Sequence, residues 1–390
     1  MIKRNKFDLY ELANLMLDQI PEQAFKSKST TFLDPAMGGG QFCHAIEDRL
    51  RKYGHSEQNI SKRVFGFESV IMDIRFAVNK YNLVGQYSLV KPMTFLETET
   101  FGMKFDVIVG NPPYQGTNQK EGKSQPKSHN LWSKFVAKGT DLLGEDGYMA
   151  FVTPDSWMSY DSKVMKIFKE HSLSWVSTDV AKYFDVGSSF TAWILQNNKS
   201  SNTALIDGIN VDISNLMYLP RNFEQTYPIH NKVINSNHEK LEVKTSTTCH
   251  SDYKQGNLSD QKTKTHKYDT FHTNAQSKFS NKMMEDFDKP KVVWTTSGYF
   301  KPFFHKGGLN TTEVCQYVVV NTQKEARHLM SLLDSKLYKF IINTGKWSGF
   351  LNGKVIKSLP SLEDKIWSDA DLYKHFGLTS EEIDYIETNQ

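Results

Sequence analysis

With 390 residues the chain exceeds what one hydrophobic core usually serves, so two domains are expected. Hydrophobic residues make up 38% of it, yet the longest apolar runs, Phe105 to Val109 and Tyr148 to Val152, are far too short to cross a bilayer, so no membrane partner is expected. The net charge of +3 does not by itself imply a polyanionic partner, but residues 231 to 310 hold 13 lysines against 8 acidic residues and no arginine, which places the basic excess in the C-terminal half.

The chain opens Met-Ile-Lys-Arg-Asn-Lys with neither an apolar h-region nor a small-residue cleavage site, and continues from Phe7 to Pro21 with Leu12, Leu15 and Met16 at helical spacing. A cytoplasmic location is the expectation, and three widely spaced cysteines, Cys43, Cys249 and Cys315, suit a reducing compartment. Cys-His pairs at 43/44 and 249/250 lack any accompanying Cys-x-x-Cys or His-x-x-x-His, so no metal site is expected. Thr31 to Leu33, Val64 to Phe67, Tyr87 to Val90, Phe105 to Val109 and Tyr148 to Thr153 read as short buried strands, with amphipathic stretches such as 41 to 53 and 130 to 143 between them. That alternation predicts a doubly wound α/β sheet. After Asn197 a polar Asn-Lys-Ser-Ser-Asn-Thr run reads as a linker, dividing the chain into 1–199 and 200–390.

Asp34-Pro35-Ala36-Met37-Gly38-Gly39-Gly40-Gln41-Phe42 falls where the first strand ends and a helix begins. Gly38 and Gly40 let the backbone come close to a ligand, the helix N-terminus offers unpaired N–H groups, and Asp34 is placed to hold a cationic amino group. An ordinary tight strand-to-helix turn would read the same way. Glu68, at the end of the second strand, has the position from which an acid accepts both hydroxyls of a nucleoside ribose, although a solvated glutamate would also stand there. The strand Phe105 to Val109 then runs into Gly110-Asn111-Pro112-Pro113-Tyr114. Two successive prolines make that turn rigid, so the Asn111 side-chain carbonyl and the Pro112 backbone carbonyl can be held as paired acceptors for the two N–H donors of an exocyclic amine, with Tyr114 as a stacking face.

In this order the motifs resemble the N6-adenine DNA methyltransferases of the gamma arrangement, over roughly residues 7 to 195. The resemblance implies a Rossmann-like methyltransferase sheet, S-adenosylmethionine as cofactor and duplex DNA as partner, and it admits a separate restriction endonuclease. It implies cofactor contacts from Asp34, Pro35, Ala36, Gly38, Gly40, Phe42 and Asn111, a ribose contact from Glu68, and a helix over Phe7 to Pro21 near the methionine end. It assigns Asn111, Pro112 and Tyr114 to the target base, and a second aromatic, Phe184 of Tyr183-Phe184-Asp185-Val186-Gly187, to its other face, with Phe190 as the competing ring. Where the family usually has an acid in Asp-Phe-Leu, this chain has Thr94-Phe95-Leu96, so Thr94 and Phe95 are the expected adenine contacts and a charge is missing there. Gln115 to His129, rich in Gly, Gln, Lys, Ser and Pro, reads as a loop that closes on substrate.

The C-terminal half is expected to be an α+β target-recognition domain, with Trp294 to Pro302 and Thr344 to Gly349 among its elements. Three other readings stand beside this one. They are methylation of a protein glutamine amide or an RNA guanine, fusion to a nuclease using Glu242-Val243-Lys244, and a DNA-binding module without turnover.

Overall fold

In the computed structural model, residues 9–97, 102–115, 130–160, 162–184, 189–296, 298–347, 352–363 and 365–389 are described. The chain forms two compact units, one of residues 1–157 with 161–216 and one of 158–160 with 217–390. Among the described residues no helix is long and apolar enough to cross a membrane.

The first unit holds β1 (Phe32–Asp34), β2 (Val64–Glu68), β3 (Gln86–Leu89), β4 (Phe105–Gly110), β5 (Leu143–Pro154), β6 (Ser172–Ser177), β7 (Phe190–Gln196), β8 (Thr203–Ile206) and β9 (Ile209–Asp212) in one sheet, ordered β3-β2-β1-β4-β5-β7-β6-β8-β9. β3 through β5 of that order run parallel, and β7 is antiparallel to both its neighbours. β4 is buried at every position except Asp106, as a parallel strand covered on both faces must be. The helices are α1 (Leu9–Leu17), α2 (Glu22–Lys26), α3 (Gln41–Lys52), α4 (Glu57–Ile60), α5 (Ile71–Tyr81), α6 (Pro92–Glu97), α7 (Leu131–Leu142) and α8 (Lys163–Glu170). Leu12, Met16, Phe42, Ile46 and Leu50, from α1 and α3, share one core with Val107, Val109, Ala150 and Ile194 of the sheet. Trp193 of β7 meets Phe151 and Phe168 edge-on at 5.7 and 4.7 Å in a second apolar layer. This is the doubly wound sheet that the alternation predicts.

Two expectations change in detail. β3 is mostly exposed rather than buried, because it is the edge strand of the sheet and only one side of it has a neighbour. The first unit also runs to Leu216 rather than ending at 199, because β8 adds parallel to β6 and β9 folds back on β8. The polar residues after Asn197 therefore form a turn within the sheet rather than a linker.

The second unit is α+β. Strands β10 (Leu258–Ser259), β11 (Tyr268–Thr273), β12 (Gln276–Ser280) and β15 (Asn310–Thr311) make one small sheet, and β13 (Lys291–Thr295), β14 (Phe303–His305) and β16 (Cys315–Val319) another. They accompany α9 (Phe223–Ile234), α10 (Gln323–Asp334), α11 (Lys336–Gly345), α12 (Asn352–Ile356), α13 (Asp369–His375) and α14 (Ser380–Thr388). Trp294, Leu333, Tyr338, Ile341 and Leu372 join the larger core of this unit. Ser368 with Asp371 and Thr379 with Glu382 close reciprocal capping boxes on the last two helices, so the starts of α13 and α14 are fixed by their own sequence.

Candidate active site

The strand order of the first unit reverses between β1 and β4, so their carboxyl ends open a crevice where ligands of doubly wound sheets bind. Four segments reach it, one after each of β1, β2, β3 and β4.

The loop after β1 makes its turn through Gly38 (φ 48°) and Gly40 (φ 80°), left-handed conformations that cost side-chain-bearing residues strain. A Cβ on Gly40 would lie 2.6 Å from Cβ of Ala77 on α5, whereas one on Gly38 would meet open space. Gly40 is therefore fixed by packing, and Gly38 faces open space. Gly40→Ala is expected to destabilise the fold by about 3 kcal/mol, summing left-handed strain and overpacking, measured as a lower denaturant midpoint at unchanged slope.

Glu68 joins two of the four segments. One carboxylate oxygen accepts from the Gly38 N–H at 2.9 Å, and the other accepts from the Ser69 N–H at 2.6 Å, the Ser69 hydroxyl at 2.9 Å and the Val70 N–H at 3.1 Å. These bonds hold the carboxylate rigid. It borders a cleft of about 190 Å³ that Pro35, Ala36 and Asn111 also line. Ser69, Val90, Pro92 and Pro113 line it as well, and sequence reasoning missed them. The signal for Val90 and Pro92 was their place just past β3, where a third strand end of a parallel sheet reaches the same rim.

Thr94 and Phe95 do not line that cleft. Thr94 is exposed on α6, and Phe95 is fully buried with its ring stacked 4.9 Å from that of Phe135 on α7. Phe42 likewise belongs to the core between α1 and α3.

Asp34 is fully buried at the end of β1. One of its oxygens accepts from the Ala36 N–H at 3.1 Å, and a Cβ on Gly110 would lie 2.7 Å from that oxygen. Gly110 is thus a residue the site needs and the sequence reading passed over as the end of a strand. Burial lifts the Asp34 carboxyl to about 7, the nearby Glu68 charge adding to the rise.

The rigid turn follows Gly110. Pro112 is buried, while Asn111, Pro113 and Tyr114 are half-buried. The Tyr114 hydroxyl donates to Oδ1 of Asn111, and its ring stacks on that of Phe190 at 5.0 Å. Burial pushes the Tyr114 hydroxyl well above the usual phenol range, so it remains a donor. Phe184 lies 4.8 Å beyond Phe190, tilted by 44°. The two candidate aromatics therefore belong to one row, with Phe190 buried in the middle and Phe184 half-buried at its outer end. Residues 116–129, which hold nearly all of the expected closing loop, and residues 185–188 lie outside the described residues.

In the second unit, Lys244 lies 3.3 Å from Asp286 and 3.8 Å from Glu242, so its ammonium is held in a carboxylate cluster. Among the described residues no group of three metal-ligating side chains is found.

Residues 25–186, which span the glycine loop, Glu68, the Asn-Pro-Pro-Tyr turn and Phe184, match the Eco57I restriction-modification methylase family. This segment is similar to a restriction-modification methylase domain. The resemblance carried by Asp34 to Phe42 and Asn111 to Tyr114 is thereby borne out. The chain is similar to an uncharacterized adenine-specific methylase of Mycoplasma pneumoniae, 30% identical over 121 residues that make up 28% of each chain. It is also similar to the Escherichia coli type II restriction enzyme and methyltransferase RM.Eco57I, 27% identical over 118 residues, 26% of this chain and 11% of that one. The match thus spans little more than a quarter of the first relative's length and about a tenth of the second's. Among solved structures, the ATP-dependent Type ISP restriction-modification enzyme LlaBIII bound to DNA superposes with a TM-score of 0.52 at 10% identity, over 97% of this chain and 39% of that one, a likeness of fold.

Proposed function

We propose that this chain transfers a methyl group from S-adenosylmethionine to the N6 amino nitrogen of an adenine rotated out of duplex DNA. The observation that carries this reading is the placement of Asn111 on the same cleft as the immobilised Glu68 carboxylate. A donor-accepting turn and a nucleoside-type subsite share one crevice.

The cleft suits the cofactor. The Glu68 oxygen that meets only the Gly38 N–H keeps a lone pair for a ribose hydroxyl, and Val90 and Pro92 offer apolar walls for a purine. When bound, S-adenosylmethionine supplies an electrophilic methyl group and a neutral thioether leaving group. The chain's own residues act on the amine. Its lone pair is delocalised into the ring until acceptors draw on its protons, and Asn111 Oδ1 with the Pro112 carbonyl would supply them. Oδ1 has two lone pairs, so the Tyr114 hydroxyl can keep one and orient the other. The Tyr114 ring, backed by Phe190 and Phe184, offers the flipped base a stacking surface against an unstacking cost of a few kcal/mol. Acceleration comes from positioning and fixed dipoles.

Glu68→Gln puts an amide N–H against one of the backbone N–H groups that the carboxylate now satisfies. Affinity for S-adenosylmethionine is expected to fall roughly 30-fold, the equivalent of about 2 kcal/mol for a lost charge-assisted pair, as read by calorimetric titration.

The reaction itself is tested by incubating labelled S-adenosylmethionine with mixed duplex DNA, RNA and protein in parallel. Label at adenine N6 in DNA is expected. Label confined to RNA or protein would keep the pocket and overturn the substrate.

A further inference from the structure

Trp294 to Pro302 and Thr344 to Gly349, some fifty residues apart, contribute to one cavity of the second unit. Tyr299 and Phe300 line it together with Lys339, Asn343 and Lys346, and its volume is about 460 Å³. One wall is a turn built to hold an aromatic ring in solvent. Gly298 takes φ 73°, Asn274 Nδ2 donates to the Tyr299 carbonyl at 3.0 Å, and Phe300 packs edge-on against buried Trp294. Tyr299 is nonetheless 92% exposed, a large apolar area left in water by an anchored backbone.

The other wall is the face of α11 and the residue that ends it, where Lys339, Asn343 and Lys346 follow at helical spacing. Lys346 Nζ donates to Asn343 Oδ1 at 3.1 Å, and the two residues also border an adjoining hollow of about 530 Å³ with Arg221. Burial, and to a lesser degree the Arg221 charge, lower the Lys346 ammonium below its ordinary range. Among the described residues neither Lys346 nor Arg221 has a carboxylate at ion-pair distance, and Lys339 meets only Asp334, in an exposed pair at 3.3 Å that a phosphate can displace. Elsewhere in this unit lysines such as Lys244, Lys278 and Lys289 are already matched by Asp286 or Asp260. Lys339, Lys346 and Arg221 thus border two adjoining hollows beside the exposed ring.

We propose that this groove holds a DNA strand, Lys339, Lys346 and Arg221 meeting its phosphates and Tyr299 lying against a base. The inference rests on DNA being the substrate and names the residues that grip it. Cations spaced along a groove with an aromatic platform are the combination that binds a nucleic-acid strand through its backbone and π-faces.

The test uses the full chain and a fluorescent mixed-sequence duplex titrated at several salt concentrations. Lys339→Gln with Lys346→Gln is expected to lower the slope of log affinity against log salt by about 1.8, at 0.9 per lost phosphate contact. Tyr299→Ala is expected to weaken binding about tenfold with the slope unchanged. Lys52→Gln, on an exposed end of α3, serves as the control and leaves both quantities as they were. Wild-type binding to duplex that these substitutions do not alter overturns the groove and leaves the proposed reaction standing. Failure of the wild type to bind DNA overturns the groove together with its substrate.

Discussion

Asn111→Ala is expected to lower kcat for methyl transfer by roughly 10²–10³, with kcat/KM for DNA falling in the same proportion. The size follows from what the side chain does in the proposed reaction. An amine whose lone pair is shared with a purine ring becomes nucleophilic only as an acceptor draws on its N–H groups, so the interaction strengthens in the transition state and scarcely exists in the ground state. Removing it should therefore leave DNA affinity within a few-fold of wild type. Asn111 also holds the Tyr114 hydroxyl, which makes Tyr114→Phe the necessary companion. That variant keeps the ring on Phe190 and frees Oδ1, so a change of only a few-fold is expected, while Tyr114→Ala, losing the stacking face, should raise KM. An Asn111→Ala enzyme retaining a tenth of wild-type turnover would remove this residue from the chemistry.

The Asn-Pro-Pro-Tyr turn was legible because two prolines restrict the backbone so tightly that local sequence determines local shape. Glu68 was legible for a similar reason, since the end of the second strand is a fixed place in a doubly wound sheet. What escaped the sequence depends on contacts between distant positions. Gly110 looks like the last residue of a strand, and its need for a bare Cα appears only once the Asp34 carboxylate occupies the space a Cβ would take, 76 residues away in the chain. Thr94 and Phe95 were assigned to an adenine pocket, yet α6 directs Phe95 onto Phe135, a packing choice no three-residue motif encodes. Phe190 and Phe184 could not be told apart, because either fits a row whose order is set by where β7 begins. In the second unit the lysine count concealed two populations. Lys291 is fully buried, donating to the carbonyls of Phe287 and Leu309, and burial lowers its ammonium to about 8, whereas Lys346 borders an open groove. Composition counts both alike, and burial separates them.

Asp34 should make folding stability fall as pH rises from about 4 to about 8. Its carboxyl, ordinarily near 3.8, stands at about 7 in the folded chain, so the fold favours the protonated form. A group with a raised folded pKa contributes its full stability below the unfolded value and loses it as pH passes the folded one; three units correspond to about 4 kcal/mol as an order of magnitude. Asp34→Asn keeps an oxygen for the Ala36 N–H and removes the ionisation. The variant should match wild type near pH 3, below the unfolded value, and exceed it by a few kcal/mol near pH 8, read from denaturant unfolding; parallel pH profiles for the two proteins would show that the carboxyl is not held neutral. The same proton reports on the role the sequence assigns to Asp34. A cationic amino group settling over the loop favours the ionised carboxyl even across a short gap, so binding S-adenosylmethionine near pH 6 should release a fraction of a proton that vanishes near pH 9. Calorimetry in two buffers of different ionisation enthalpy measures that fraction. Release in wild type and none in Asp34→Asn would place Asp34 in the cofactor's electrostatic field, while its absence from both would leave the residue as a neutral brace for the Ala36 turn beneath the cleft.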